Sequence, residues 1–453
     1  MATKSVITRV VSVAAGVFAP GHLGELTPIV PFEMVDEILA ETRATQMRIR
    51  LLPSRVVVYL VLAAALFEGA GYPAVWRKLA AGLGGQAPPA PSDSALQQAR
   101  LRVGAKPLKA LFDLLRGPAS AARKASTRWR GLLVCAIDGT TLSVPDSDGN
   151  TARLGKHRGG HGAAGYPQLR LLALVACGTR AVIDAAWGPM SDGETSYARQ
   201  LLRSLHAGMI VLLDRGFDAN GLLKAIKGTD ADFLARLKSN RRLPIVKRYP
   251  DGSYLTVLGG VEVRVVECEI TIKTKAGKQT GVYRLATTLL DPHAFPAFEL
   301  VKLYHERWEV ETVYLEIKST MLGGRVLRSC IPAAVDQEIH ALLAAYQILR
   351  IAIVDATDTV PAADPDRASF AIALETARDQ IVNAANVIAD TVIDLLGAIG
   401  RTVLDNLMPA RRLRVSPRAV KRPLSRYAYR SLRITKTSYK ATLSIDILAT
   451  QAP

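Results

Sequence analysis

The chain has 453 residues, 49% of them hydrophobic, and a formal net charge of +18. That apolar content excludes global disorder and can fill roughly two to four domains. The excess of Lys and Arg points to a polyanion, nucleic acid or an anionic membrane surface, because each neutralised phosphate releases counterions.

The membrane alternative finds little in the sequence. Val56 to Leu66 is the longest apolar stretch, well short of the roughly 20 residues that a spanning helix needs. Lys4 and Arg9 precede VVSVAAGVFA, but no small-x-small cleavage pattern follows before Pro20-Gly21, so secretion is not expected. Cys135, Cys177, Cys268 and Cys330 form no C-x-x-C pair. Neither a zinc nor a disulfide framework is therefore expected, and a reducing cytoplasm fits.

Residues 1–125 read as helical. Phe32 opens a stretch with apolar positions at helical spacing. Arg55 to Ala81 is a second helical region with a break expected at Gly71 to Pro73. The GLGGQAPPAP stretch ends it, and Ser92-Asp93-Ser94 can cap the next segment, Ala95 to Leu115, which Gly104 and Pro107 should split. Its Arg100, Arg102, Lys106 and Lys109 make a face that is either solvated or in contact with DNA.

The pattern changes near Trp129. LLVCAI, QLRLLALVACGT, AVIDAAWGP, MIVLL and DFLARLK read as strands, with helices over Gly193–His206 and Asn220–Lys227. Three strands followed by alternating helix and strand is a mixed α/β signature. Residues 239–290 are rich in β-branched side chains with a turn at Ala276-Gly277-Lys278, a β-rich excursion that should return to the main sheet. A long helix is expected from Phe298 to Thr320, another over Val335–Val354, a linker over 356–366, and a helical stretch over Ala368–Leu407. Arg411 to Lys440 carries eleven Lys or Arg and no acid, a flexible tail or a polyanion contact. No G-x-x-x-x-G-K-[ST] loop is present, so nucleotide hydrolysis is not expected.

Two aspartates end buried runs, Asp138 after LLVCAI and Asp214 after MIVLL. Ligands gather at the carboxyl ends of strands in open α/β sheets, although each Asp could simply cap its turn. In the long helix, Tyr304, Arg307, Glu311 and Lys318 fall within an arc of about 60° at 100° per residue. Glu306, Glu309 and Glu316 lie elsewhere on its circumference, and Trp308 should pack the helix onto the core. His157 and His161 are four apart, but the intervening Arg-Gly-Gly reads as a basic loop; Asp146 and Asp148 read as a solvated turn.

Tyr304-x2-Arg307-x3-Glu311-x6-Lys318 resembles the Y-R-E-K signature of DDE-type bacterial transposases of the insertion sequence 4 family. IDGTTLSVPDS around Asp138, LLDRGFDANGLL around Asp214 and the opening VFAPGHLGELT are similar to that family's motifs, and the likeness runs from about residue 10 to 350. It implies an α/β fold: a ribonuclease H-like mixed-sheet catalytic core with a β-rich insertion, flanked by helical N- and C-terminal regions. Asp138, Asp214 and Glu311 would be catalytic and would hold two Mg²⁺ ions, with Mn²⁺ as a substitute, for DNA cleavage at element ends and strand transfer. Tyr304, Arg307, Lys318 and Arg215 would contact DNA phosphates.

The implied domains are 1–125 for DNA binding and assembly, 126–238 for the first part of the core and 239–290 for the insertion. Residues 291–355 would form the second part with the catalytic-Glu helix, and 356–453 a helical region with a basic tail. Relatives with such an insertion can cut through a hairpin with a flipped base stacked on an aromatic residue. Tyr249, Tyr254 and Tyr283 are the insertion's aromatics, and packing is the expected use of each. Partners would be double-stranded DNA, both terminal inverted repeats and target, and a second copy of the chain on that DNA, in a cytoplasmic, nucleoid-associated setting. A catalytically inactive DNA-binding derivative, or a nuclease that cuts without joining, remains open at this point.

Overall fold

The computed structural model describes residues 21–46, 52–81, 90–116, 127–156, 158–159, 162–163, 165–275, 277–361, 363–383, 397–409, 414–415 and 439–448. The N-terminal twenty residues, the His157 and His161 loop, most of Gly82–Pro91, Ala276, 384–396 and most of the Arg411–Lys440 tail lie outside them. The chain forms two compact units.

The first unit, residues 1–122, 142–153 and 313–408, is helical. It contains α1 (Phe32–Glu41), α2 (Ser54–Leu66), α3 (Tyr72–Ala81), α4 (Asp93–Val103), α5 (Lys106–Leu115) and α6 (Asp148–Leu154). The Ser92 hydroxyl accepts from the Ala95 amide at 3.2 Å and caps α4. Gly104, at φ +69°, ends α4, and Pro107 sits in the first turn of α5, where its missing N–H costs nothing. The expected break at Gly71–Pro73 falls earlier, over Phe67–Gly71, because Pro73 is also tolerated in a first helical turn.

The core of this unit is α11 (Pro332–Asp358), a 27-residue helix packed against α2, α5, α12 (Phe370–Val382) and α13 (Gly397–Asp405). It is long and apolar enough to cross a bilayer, yet 89% of its most apolar window is buried within the protein. Its polar residues have fixed jobs. The Gln337 amide donates to the carbonyls of Arg100 and Gly104 at 2.9 and 2.7 Å, at the end of α4, where the Arg100 carbonyl also accepts from the Gly104 amide. The expected linker at 356–366 is instead packed. α11 runs to Asp358, Asp364 caps a short 3₁₀ turn over Pro365–Arg367, and Ala363, Pro365 and Ala368 are buried.

The second unit, residues 123–141, 154–312 and 409–453, is built on one twisted sheet. Its longer strands are β1 (Leu132–Ser143), β2 (Gln168–Ala176), β3 (Val182–Pro189), β4 (Met209–Leu213), β5 (Asp232–Arg236), β6 (Tyr254–Leu258), β7 (Val261–Thr274), β8 (Gly277–Thr287) and β9 (Tyr439–Ile447). The order across the sheet is β9-β7-β8-β5-β4-β1-β2-β3, with β6 paired to β7 off this path. β4 is parallel to both β1 and β5, while β2 and β3 are antiparallel. The all-apolar run MIVLL is buried at every position, as a strand covered on both faces requires. α7 (Glu194–Leu201) packs on β2 and β3, and α8 (Asn220–Lys227) on β5.

The order β3-β2-β1-β4-β5, with three sequential strands and then two joined through helices, is that of a ribonuclease H-like core. The β-rich excursion returns to it, since β8 pairs antiparallel with β5 through Leu285↔Arg236 to Thr287↔Leu234. One strand was not expected. β9, from the end of the chain, pairs with β7 from Cys268↔Ile447 to Thr274↔Ala441, so the C-terminal region is not helical throughout.

Candidate active site

The parallel register of β1 and β4 ends at Ile137↔Leu213, and the next residue on each strand is an aspartate. Adjacent strands lie about 4.8 Å apart, so Asp138 and Asp214 start from neighbouring backbone positions and project from the same edge of the pleat. The buried run of β1 stops at Ile137, but the strand itself continues to Ser143. Asp138 is therefore inside a long strand, not at its end as the apolar run suggests. What ends there is its pairing with β4.

Both aspartates also fill the local role of turn capping. Asp138 Oδ1 accepts from the Gly139 amide at 2.8 Å, and Asp214 Oδ1 from the Gly216 amide at 2.6 Å. Burial pushes the Asp138 carboxyl up to about 6; the Gly139 hydrogen bond and Arg307 pull it down, and Asp214 and Glu311 push it up. The three carboxylates thus lie within one another's field.

The chain from Ala297 to Met321 is not one regular helix. It consists of α9 (Ala297–Tyr304), a 3₁₀ turn over His305–Arg307, α10 (Trp308–Leu315) and a π turn over Glu316–Met321. These changes in pitch break the single straight stripe expected of Tyr304, Arg307, Glu311 and Lys318. Arg307 Nη1 lies 3.2 Å from Asp138 Oδ2, and its Nη2 3.3 Å from Glu311 Oε1. Burial works against charge on this guanidinium, but Tyr304, Asp138, Glu311 and Asp214 hold it above its ordinary range.

The Tyr304 side chain is buried and donates to the carbonyl of Leu213 at 3.1 Å. A direct phosphate contact at Tyr304 does not fit that geometry, because the hydroxyl is turned into the protein. Arg215 is exposed beside Asp214. Lys318 is half-buried in the π turn and belongs to the helical unit. Trp308 is 40% exposed, with its ring 5.3 Å from the Arg307 guanidinium, so it does not anchor the helix in the core.

Two of the other acids of the helix, Glu309 and Glu316, have buried partners. Glu309 is buried and pairs with Arg180 at 2.7 Å. Glu316 is buried in the π turn, where it pairs with Arg350 and accepts from the Tyr346 hydroxyl at 2.8 Å. π turns often let one side chain step out of helical register, and here the residue that steps inward is a carboxylate with a buried cation to meet. Asp148 opens α6, and Asp146 accepts from Thr151 at 3.2 Å, both in the helical unit. In the insertion, Tyr254 donates to Glu267 at 2.9 Å, Tyr283 lies against Arg236 and Tyr249 near Lys247.

Sequence reasoning passed over Glu194. Its carboxylate lies where a Cβ on Gly139 would come within 3.0 Å of it, so the glycine after Asp138 leaves room for another acid, and it lies in ordinary contact distance, 3.7 Å, of a Cβ on Gly216. Arg170 is 3.8 Å away. The available signal was its position as a first-turn acid on α7.

The donors here are carboxylate oxygens, with no thiol or imidazole, and that set suits a hard divalent ion. Among the described residues no three acidic, His or Cys side chains converge closely enough to chelate an ion in this geometry. Arg307 stands between Asp138 and Glu311 and supplies the positive charge.

Residues 129–348 match the family described as "Transposase DDE domain", and residues 20–113 the one described as "Insertion element 4 transposase N-terminal". The chain belongs to the DDE transposases of the insertion sequence 4 family. It is 28% identical over 407 residues to transposase InsG of insertion sequence element IS4 from Escherichia coli (strain K12), covering 86% of this chain and 90% of that one. A second chain of the same organism, InsZ, is 29% identical over 212 residues, 45% of this chain and 68% of its own. Among solved structures, a piggyBac transposase synaptic complex with hairpin DNA aligns over 83% of each chain at 12% identity and a TM-score of 0.42, too loose a likeness to argue from. This DDE transposase is a polynucleotidyl transferase and endonuclease that acts on DNA in transposition, with the divalent-metal dependence of its family.

Proposed function

We propose that this transposase cuts DNA at the terminal inverted repeats of its element and joins the freed ends to target DNA, with Asp138, Asp214 and Glu311 as the metal-holding catalytic carboxylates. The observation that carries this reading is the parallel register ending at Ile137↔Leu213, which sets two aspartates side by side, with Arg307 linking one of them to Glu311. Two Mg²⁺ ions, or Mn²⁺ in their place, would stabilise the attacking and leaving oxygens when bound.

The chemistry is two in-line phosphoryl transfers. In the first, the oxygen of water bonds to phosphorus as the bond from phosphorus to the 3′-oxygen breaks, and that oxygen takes up a proton. In the second, the freed 3′-hydroxyl loses its proton, bonds to a target phosphorus and displaces the 3′-oxygen there. Asp138 and Asp214 are held for this work by the Gly139 and Gly216 amides, and the end of β4 is fixed by Tyr304. Arg307 balances Asp138 and Glu311 until cations do so, and its fork is then free for a phosphate oxygen. Exposed Arg215 serves the same anion, and Lys318 contacts DNA from the π turn.

In this reading residues 1–125 serve DNA ends and assembly. Residues 126–238 and 291–355 carry the core, 239–290 the insertion, and 356–453 assembly and further DNA contact. Handling two DNA ends calls for a homodimer on DNA, in the cytoplasm at the nucleoid.

The test is cleavage of a fragment carrying the element's ends, with and without Mg²⁺, beside Glu311→Ala. Cutting by the wild type in Mg²⁺, with a variant that binds but does not cut, is the expected result. Equal cutting by both proteins would exclude Glu311. A strand-transfer assay then separates joining from cutting alone.

A further inference from the structure

The loop that joins β2 to β3 is buried, whereas most connections run over a protein's surface. The Cys177 amide donates to the carbonyl of Val134 at 2.8 Å, which ties the loop to β1, the strand of Asp138. Thr127 packs so closely on it that a Cβ on Gly178 would come within 2.5 Å of the Thr127 Cα. Arg180, in this loop, has φ +56°, a left-handed backbone that residues other than glycine seldom adopt. Such strain persists only where the surroundings hold it, and it clusters at functional sites.

The Arg180 side chain reaches the back of the helix that carries Glu311. Its Nε donates to Glu309 Oε2 at 2.7 Å, and the two side chains are 4% and 1% exposed. Glu309 is two residues from Glu311 on α10, about 200° round the helix from it. Arg180 therefore holds one side of α10 while the other presents Glu311 to Arg307. A buried ion pair is weak evidence for stability, since apolar residues of similar volume often serve as well. What it adds is a direction.

α10 needs one. The 3₁₀ turn over His305–Arg307 changes the pitch directly before it, so the direction in which Glu311 points is not carried over from α9. Contacts of α10 itself must set it. Arg307, 3.2 Å from Asp138 and 3.3 Å from Glu311, is one such contact, but it leaves both carboxylates when its fork turns to a phosphate. The Arg180–Glu309 pair is shielded from solvent and stays in place.

We propose that Arg180 and Glu309 are positioning residues, which fix the rotation of α10 and keep Glu311 at the carboxylate site once Arg307 has let it go. The proposal rests on the reading of Glu311 as a metal-holding catalytic carboxylate.

The test compares the full-length wild type with Glu309→Gln, with a double variant carrying Arg180→Met and Glu309→Met, and with Glu311→Ala. Mn²⁺ affinity of the DNA-free protein is read by electron paramagnetic resonance, and affinity for a fragment carrying the element's ends by fluorescence anisotropy. Single-turnover cleavage is followed at saturating fragment in Mg²⁺, and stability by urea unfolding.

Glu309→Gln should weaken Mn²⁺ binding about tenfold, the scale on which the outer partners of a metal site act. Cleavage by the bound protein should slow about 100-fold, as a misplacement of about 1 Å does, with affinity for the fragment unchanged. The double variant should be more stable than Glu309→Gln, because no buried charge is left without its partner. It should still cut slowly and bind Mn²⁺ weakly, since two apolar side chains pack without fixing a direction. Wild-type cleavage and Mn²⁺ affinity in the double variant would make the pair a stabilising contact and overturn the proposal, even if Glu309→Gln fails to fold. A loss confined to fragment affinity would overturn it as well. Wild-type Mn²⁺ binding by Glu311→Ala would sink the reading of Glu311 itself; weaker binding there, with none in the double variant, would sink the positioning role alone.

Discussion

Tyr304 donates its hydroxyl to the carbonyl of Leu213 at 3.1 Å, and that carbonyl belongs to the residue immediately before Asp214. The helix that leads into the Glu311 segment is thereby tied to the end of the strand that Asp214 follows. Tyr304→Phe leaves a buried acceptor short of its partner, at a cost of about 1–3 kcal/mol. Cleavage should fall about tenfold, equivalent to ~1.4 kcal/mol in the barrier, with affinity for DNA ends unchanged. Loss of affinity in an anisotropy titration, with the cleavage rate of bound complexes intact, would favour a phosphate contact instead.

Arg307 competes with cations for Asp138 and Glu311. Arg307→Gln should tighten Mn²⁺ binding to the DNA-free protein, by about fivefold or ~1 kcal/mol, the scale of a partly exposed ion pair. It should also slow cleavage, because the phosphate contact goes with the guanidinium. Weaker Mn²⁺ binding, read by electron paramagnetic resonance, would contradict the competition.

The Arg350–Glu316 pair is buried inside the helical unit, and Tyr346 donates to the same carboxylate oxygen. Arg350→Met strands a buried carboxylate, and breaking such a pair from one side costs about 3–5 kcal/mol. Urea unfolding should register that loss. Adding Glu316→Gln should recover part of it, since the uncompensated charge is then gone; no recovery in the double variant would place the cost in packing.

Burial pushes His340 down to about 4 from an ordinary 6.5, against the pull of the hydrogen bond to the Asp336 carbonyl and the charge of Asp336. The unfolded chain therefore binds this proton more readily than the folded one. Stability is full above about 6.5 and falls as pH drops toward 4, by up to ~3 kcal/mol at 1.36 kcal/mol per pH unit. Lys109 and Asp113 also face this ring, with opposite effects. Chemical unfolding of His340→Gln at pH 7 and pH 4.5 should show a smaller acid loss than the wild type; equal losses would assign the acid sensitivity to carboxylates.

Much of this architecture was readable in the sequence. Runs such as LLVCAI and MIVLL, short and rich in branched apolar residues, read as buried strands, and an acid at the end of each marks where burial stops. The pairing of Glu316 with Arg350 was not readable, since the partners come from different helices, and with it went the π turn that breaks the expected stripe. Trp308 was misjudged because size and apolarity suggest burial, whereas its position beside Arg307 leaves it 40% exposed. Glu194 reads as an ordinary first-turn acid until Gly139 and Gly216 are seen beneath it. β9 was masked by the basic stretch before it, although YKATLSIDI alternates as a strand should.

β9 also sets an order on how the molecule comes into being. β7, at Val261–Thr274, is made well before Tyr439–Ile447, the strand that covers its edge. Until β9 has been made, the segment from Cys268 to Thr274 has an open row of amides and carbonyls, the kind of edge that recruits other chains. Closing it requires a contact between regions far apart in sequence, a slow class of folding event. A nascent transposase is thus at its most adhesive before β9 has been added, and a chain cut before Tyr439 would stay that way.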